Sequence, residues 1–366
     1  MPRYTYYRRI DTSRSGHYVS CSRRVEWHNP VTPSALAHRE PCGVAHPLQW
    51  SVVVRTSEAT PLVSIIVPCY AASDSQLALL DETLGTVDRQ EYTNYDVLVI
   101  DDGSPARIDE VVARHRQAIT LRQRNGGPAL ARNAGIEASR GSMLVFLDAD
   151  DHLLPCALGT GVRHLSERQT CGFVVGGREE MTFEGRPVPW GIASAPAAAD
   201  LYNTLLGFEW YIIPPSFAMF RREVVDDVGG FREPWGADDL DFYLRVARRF
   251  QGYCFERPAV TRYRRYSASS SRDGERMLRS IRTVYERQRP VVAGDPAGEA
   301  AFARGLSRLT EIFRDCLVEN VVDRVRANQW QRALRSARLL ARESPHRLGS
   351  AARRLLAAPI NTSSSP

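Results

Sequence analysis

The chain has 366 residues, 43% of them hydrophobic and 25% charged, which supplies a sizeable core and excludes a wholly disordered protein. Its net charge of +6 is uneven: residues 1–60 and 301–358 are basic and the segment between them is acidic, and because a nucleic-acid-binding module would not explain that acidic middle, no nucleic-acid partner is expected. No run approaches the ~20 apolar residues of a spanning helix, no apolar signal core opens the chain, and seven scattered cysteines without a CxxC pair indicate neither a disulfide framework nor structural zinc, which predicts a cytoplasmic protein.

Residues 1–60 hold no sustained period and carry Pro30, Pro33, Pro41 and Pro47, which predicts an irregular extension; Cys21, His28, His38, Cys42 and His46 match no usual zinc spacing. From Leu62 the run LVSIIVPCY is continuously apolar to Pro68 and reads as a buried strand of a parallel sheet. A helix is predicted over about 74–89, then a second buried strand over 97–100 that ends in Asp101, Asp102 and a Gly-Ser turn. A helix over about 106–117 and the short strand ITLRQR lead to NGGPALARNAGIEAS, whose Gly-Gly-Pro turn opens another helix. The fourth strand, 143–147, closes on Asp148, Asp150 and Asp151. Strands alternating with helices make a parallel α/β sheet that binds ligands beyond the carboxyl ends of its strands, so both acidic strand ends converge on one crevice.

Beyond Pro155 the sequence predicts a helix to about Arg168, strands near 173–176 and 216–221, and an amphipathic helix with Leu240, Tyr243, Leu244 and Ala247 on one stripe. Composition turns linker-like over 291–300. Leu306, Leu309, Phe313, Leu317, Val321 and Val325 keep helical spacing, as do Trp330, Ala333, Leu334, Ala337 and Leu340. A helical hairpin over 301–343 is predicted, inside a helical segment that reaches 358 and precedes a frayed tail, 359–366.

Carboxylates at positions i and i+2 of a strand end, as in Asp148 and Asp150, reach one hard cation through oxygen, and a cation with so few protein ligands keeps open positions for substrate phosphates. An acidic turn is also a common solvated loop; the second acidic strand end of the same sheet, IDDGS, favours the ligand reading. The segments PLVSIIVPCY, VLVIDDGS, NGGPALARNAGIEASRGSMLVFLDADD and GGFREPWGADDLDFYLR, in this order over about residues 61–290, resemble the family 2 glycosyltransferases of the GT-A fold with its DxD motif. The resemblance implies a Rossmann-like, mostly parallel sheet flanked by helices. It implies Mn²⁺- or Mg²⁺-dependent, inverting transfer from a nucleotide-diphosphate sugar, a UDP-sugar foremost, to a hydroxyl of a glycan, lipid-linked or protein acceptor in cell-surface polysaccharide or glycoconjugate synthesis.

By the same resemblance Pro68 and Tyr70 cradle the base, Asp102 hydrogen-bonds it, Asp148 contacts the ribose, Asp150 binds the metal with Asp151 in support, and Arg132 and Asn133 face the nucleotide crevice. Asp239 is the catalytic base, with Asp238 and Arg245 supporting it, because inverting transfer needs a carboxylate to take the acceptor's proton while the metal neutralises the leaving diphosphate. Plainer roles remain open: the helix from Pro128 packs Leu130, Ala134 and Ile136 into the core, and an acidic pair suits any helix N-terminus. The chain departs from the family pattern twice. Asp238 stands where many relatives have Glu, and Tyr266 stands where many carry a His ligand, leaving the third metal ligand open and Arg262, Arg264 and Arg265 as alternative grips on the diphosphate.

Two readings compete, a non-catalytic sugar-nucleotide binder and an anionic-surface-binding module. As an addition to an enzyme, the arginine-rich segment 301–358, with Arg332, Arg335, Arg338 and Arg342 close together, predicts peripheral contact with an anionic inner membrane surface. Sugar and acceptor are expected to be read by residues between Gly177 and Pro215, which hold no motif.

Overall fold

The computed structural model describes residues 6–7, 20–21, 60–188, 200–209, 218–232, 236–266 and 270–357. The chain divides into two units, residues 1–57 and 58–366. The described part of the first is an antiparallel pair, β1 (Tyr6–Tyr7) and β2 (Ser20–Cys21). The remainder of the expected extension up to residue 59, and the tail 359–366, lie outside the described residues.

The second unit begins as the apolar runs dictate. β3 (Val63–Cys69) is buried on both faces, as a central parallel strand must be, and pairs in parallel with β4 (Tyr95–Asp101) and β6 (Met143–Phe146), Ile65 lying opposite both Val97 and Val145. Between them run α1 (Asp74–Val87), whose N-cap Ser73 accepts from the Gln76 amide, the short α2 (Ile108–Val112), β5 (Ala118–Arg122) beside β4, and α3 (Pro128–Ala138). α3 starts where the sequence predicts because Gly127 takes φ +90° and Pro128 fills the first helical position.

After β7 (His152–Leu153) and α4 (Ala157–Glu167) the chain lays down β8 (Cys171–Met181), β9 (Pro187–Val188), α5 (Leu201–Leu206), β10 (Ala218–Arg221), α6 (Arg222–Val228), α7 (Asp238–Arg249) and β11 (Gln251–Arg264). The nine-stranded sheet has the order β5-β4-β3-β6-β10-β8-β11-β7, with β9 paired to β8. β10 runs antiparallel to both β6 and β8, and β7 and β9 are likewise antiparallel to their partners, while the longer ladders β5-β4-β3-β6 and β8-β11 are parallel, so the sheet is the expected mostly parallel one with antiparallel strands mixed in. An apolar run such as AMF in β10 encodes burial and not direction, which is why the sequence pattern did not distinguish the two.

α8 (Gly274–Val292), α9 (Pro296–Arg326), α10 (Trp330–Glu343) and α11 (Leu348–Ala357) complete the unit. Only residues 293–295 separate α8 from α9, so the expected linker over 291–300 is a tight turn: Gly294 takes φ +83°, Asp295 caps α9 by accepting from the Ala297 amide at 3.1 Å, and Pro296 is its first residue. These residues look linker-like because they are helix punctuation. The expected hairpin over 301–343 is the pair α9 and α10, with α11 continuing the helical segment, and α9 lies against α8 and α5 so closely that a Cβ on Gly305 would sit 1.8 Å from the Leu206 carbonyl oxygen. No described helix is long and apolar enough to cross a membrane.

Candidate active site

The carboxyl ends of β3, β4 and β6 meet at one edge of the sheet, and each carries residues the sequence singles out. At the end of β3, Pro68 pairs across to Ile100, and Tyr70 stands 49% exposed. Asp102 is buried: its Oδ1 accepts from Gln123 Nε2 and the Gly126 amide, and its Oδ2 from the Gly127 amide, all at 2.8 Å. This carboxylate therefore builds the loop that opens α3, a role the residue type alone does not reveal. Asp101 behind it is held by Arg122 (Nη1 to Oδ2, 2.6 Å) and the Ser104 amide.

Arg132 joins the two acidic motifs. It lies on the buried side of α3, donates from Nη2 to Asp148 Oδ1 at 2.7 Å and from Nη1 to Asp238 Oδ2 at 2.6 Å, and sits over the Phe231 ring. Its charged form is favoured, since the pull of Asp148, Asp238 and Asp239 outweighs the burial that alone would lower its pKa. Its Nε is buried with no acceptor among the described residues. Beside Asp238, in the first turn of α7, Asp239 accepts from the Leu240 amide through Oδ1 at 2.7 Å. Burial first, then Asp238, push the Asp239 carboxyl up to about 7, with Arg132 opposing. One turn further on, the Tyr243 hydroxyl is buried without a partner among the described residues. A half-protonated carboxylate near neutrality is what proton transfer requires of a general base.

Asp150 faces a different neighbour: the Tyr266 hydroxyl donates to its Oδ2 at 2.8 Å. Burial and then Asp148 raise the Asp150 carboxyl to about 6, against the Tyr266 hydrogen bond. Asp148 and Asp150 each keep one oxygen without a side-chain partner among the described residues. Asp151 is wholly buried and turns inward, accepting from the Arg264 amide at 2.9 Å. Arg264 is itself fully buried and donates to the Asp150 and Phe183 carbonyls, to Glu82 Oε2 at 2.8 Å and toward His152 Nε2. The three arginines expected as grips on a diphosphate are thus engaged elsewhere: Arg264 in this frame, Arg262 with Glu179 and Arg265 with Glu180. Among the described residues no cluster of three or more His, Cys, Asp or Glu suits a metal ion.

Two other expectations are redirected. Asn133 donates from Nδ2 to the Phe231 carbonyl and accepts from the Phe231 amide, so both ends of its amide pin the turn before α7 rather than facing the nucleotide crevice. Gly230 in that turn takes φ +67°, and a Cβ there would meet Asn133 Oδ1 at 2.5 Å. Arg245 donates to Asp241 Oδ2 at 2.8 Å and to the Val228 and Gly230 carbonyls, supporting the same turn without touching Asp238 or Asp239. Glu82, His152 and the structural role of Arg264 were not singled out by the sequence; no local motif marks partners that lie 112 and 182 residues from Arg264. Of the segment between Gly177 and Pro215 expected to read sugar and acceptor, residues 189–199 and 210–214 lie outside the described residues.

Residues 64–229 match the model of glycosyl transferase family 2. The uncharacterized protein MT1568 of Mycobacterium tuberculosis is 29% identical over 258 residues, which cover 65% of this chain and 77% of that protein. The teichuronic acid biosynthesis glycosyltransferase TuaG of Bacillus subtilis, a putative assignment by its name, is 28% identical over 156 residues, 40% of this chain and 60% of TuaG. Among solved structures, S. aureus TarS 1–349 in complex with UDP-GlcNAc superposes with a TM-score of 0.55 at 17% identity, covering 79% of this chain and 83% of that one. At that identity the likeness establishes the shared GT-A fold.

Proposed function

Starting from a chain that carries a family 2 glycosyltransferase domain, and is on that ground a glycosyltransferase, we propose that it transfers a sugar from a UDP-sugar to an acceptor hydroxyl with inversion, assisted by Mn²⁺ or Mg²⁺. The observation that carries the reading is Arg132, whose one guanidinium binds Asp148 on the donor side and Asp238 on the acceptor side. Donor motif and candidate base are thereby held a single side chain apart, the arrangement a displacement at one carbon needs. Tyr70 and Pro68 offer the base a platform at the end of β3, Asp102 shapes the loop beneath it, and Asp148 contacts the ribose in this reading.

The donors present suit a hard divalent cation. Asp148 and Asp150 supply two carboxylates, the raised pKa of Asp150 marks a pair short of positive charge, and a cation with only these protein ligands completes its shell with water and substrate phosphate. Bound there, it would neutralise the departing diphosphate. Tyr266 orients Asp150 through its hydrogen bond, and Asp239 takes the proton of the acceptor hydroxyl as that oxygen attacks the anomeric carbon from the face opposite the diphosphate. TuaG's name, and the UDP-GlcNAc bound by TarS, favour a UDP-sugar donor and cell-surface polysaccharide as the setting.

A panel of sugar nucleotides scored by thermal shift with and without Mn²⁺ or Mg²⁺ tests the donor and metal assignments, since ligands that bind the native state raise its melting temperature. A metal-dependent shift with UDP and its sugars is expected. Equal shifts with chelator present would refute the metal assignment, and a product retaining the donor's anomeric configuration would refute inversion.

A further inference from the structure

The arginines of residues 301–358 fall into distinct groups. Arg304, Arg314, Arg324, Arg347 and Arg354 pair with carboxylates, and Arg308 and Arg326 donate to backbone carbonyls. Arg332, Arg335, Arg338 and Arg342, all exposed on α10, make neither ion pair nor hydrogen bond among the described residues. Glu311, Asp315 and Glu319 on α9 pair with arginines elsewhere, and Glu343, which Arg342 also influences, is engaged chiefly by Arg282 and Arg314, so most of the positive charge of α10 is left uncompensated. The four guanidinium groups are spread over about 15 Å of helix.

α10 buries Ala333, Ser336 and Leu340, and the flank beside that stripe leaves Trp330 62% and Leu334 52% exposed at i, i+4 spacing, with Arg338 on the next turn of the same row. Surface helices of soluble domains normally keep such large apolar groups covered when they stand in a row. We propose that this outer face of α10 docks on an anionic lipid leaflet, the arginines meeting headgroup phosphates and Trp330 and Leu334 entering the headgroup boundary. Nucleic acid would engage the same arginines, but Leu334 has no complement in a phosphate backbone, whereas the acyl boundary covers both it and the indole. One Trp and one Leu bury too little for insertion, so the attachment is peripheral, reversible and weakened by salt. It holds whatever sugar is transferred.

Cosedimentation of the full chain with vesicles of phosphatidylglycerol and phosphatidylcholine, against phosphatidylcholine alone, tests it. Each arginine near an anionic surface raises partitioning about five-fold, so the combined R332Q, R335Q, R338Q and R342Q variant should bind on the order of several hundred-fold more weakly. The corresponding four-lysine variant should retain binding, and W330A with L334A should weaken it while binding stays salt-sensitive. Matching melting temperatures would establish that all variants are folded, as expected for side chains without partners. Equal pelleting of wild type and glutamine variant, equal binding to neutral vesicles, no pelleting at low salt, or a single-stranded oligonucleotide that displaces the vesicles would each overturn the proposal.

Discussion

Replacing Asp239 with asparagine should move activity and stability in opposite directions. Asparagine keeps the Oδ1 that accepts from the Leu240 amide, so the start of α7 is preserved, but it accepts no proton, and loss of a positioned base is worth roughly 10²–10⁴ in turnover. Asp239 ionises near 3.8 in the unfolded chain and about 7 in the folded one, because burial and then Asp238 disfavour its charge. Between those values the folded state holds a proton the unfolded state lacks, so this group's contribution to stability is complete below about 4 and is lost as pH rises through about 7. Three pH units at about 1.4 kcal/mol each set a ceiling of ~4 kcal/mol, which partial exposure lowers to roughly 2. Asp239→Asn should therefore resist urea better than wild type at about pH 8, with the gap closing near pH 4, while wild-type kcat/KM falls about tenfold per unit below pH 7. UDP release with a matched acceptor and urea unfolding at both pH values measure these effects. Undiminished turnover, or a variant no more stable than wild type at the higher pH, would refute the reasoning.

Asp150→Ala should abolish Mn²⁺-dependent UDP binding in calorimetric titration while leaving far-UV circular dichroism unchanged, because the side chain's one side-chain partner among the described residues is the Tyr266 hydroxyl. Tyr266→Phe removes that hydroxyl alone and should weaken metal-dependent UDP binding by about tenfold, the worth of an oriented outer partner; unchanged affinity would free Tyr266 from the site. Arg132→Ala leaves buried Asp238 without its cation and should destabilise the fold by about 3–5 kcal/mol in chemical denaturation. Arg132→Lys should not restore turnover, because a single ammonium on a flexible stem does not span Asp148 and Asp238 as the planar fork does.

What the sequence made legible follows from where its information is local. β3, β4 and β6 announce themselves because a strand covered on both faces is an unbroken apolar run, and α3 because Gly127 and Pro128 punctuate its start. β11 escaped notice because QGYCFERPAVTRYR mixes charged residues and Pro258 with its apolar ones; it is half-covered, and its arginines serve neighbours across the sheet. The acidic residues were legible as a group but not individually. Position alone does not separate Asp102, which closes a loop, or Asp151, which holds a strand amide, from Asp148 and Asp150, whose oxygens remain accessible to partners from outside the chain.

That separation is the work of arginines and backbone amides drawn from distant segments. Asp101 is taken by Arg122, Asp238 by Arg132 and Asp241 by Arg245 and Arg287, while Asp102 and Asp151 are taken by main-chain N–H groups. Unpaired, so many carboxylates around one crevice would repel each other, and their protonation would blunt any affinity for a cation. With these five held by internal partners, Asp148, Asp150 and Asp239 are the acidic residues of the crevice that each keep an oxygen without a side-chain partner among the described residues. Two of them stand together on the turn after β6 and one stands across Arg132 on α7, which is the allotment that the proposed transfer needs: a pair for a cation and its diphosphate, and a single base kept from merging with that pair by the guanidinium between them. The negative charge of the middle segment would thus serve the reaction only because most of it is taken up by structure, and a change that freed one such carboxylate, such as Arg122→Gln beside Asp101, should raise the pKa of Asp150 further and shift the pH at which the metal binds upward.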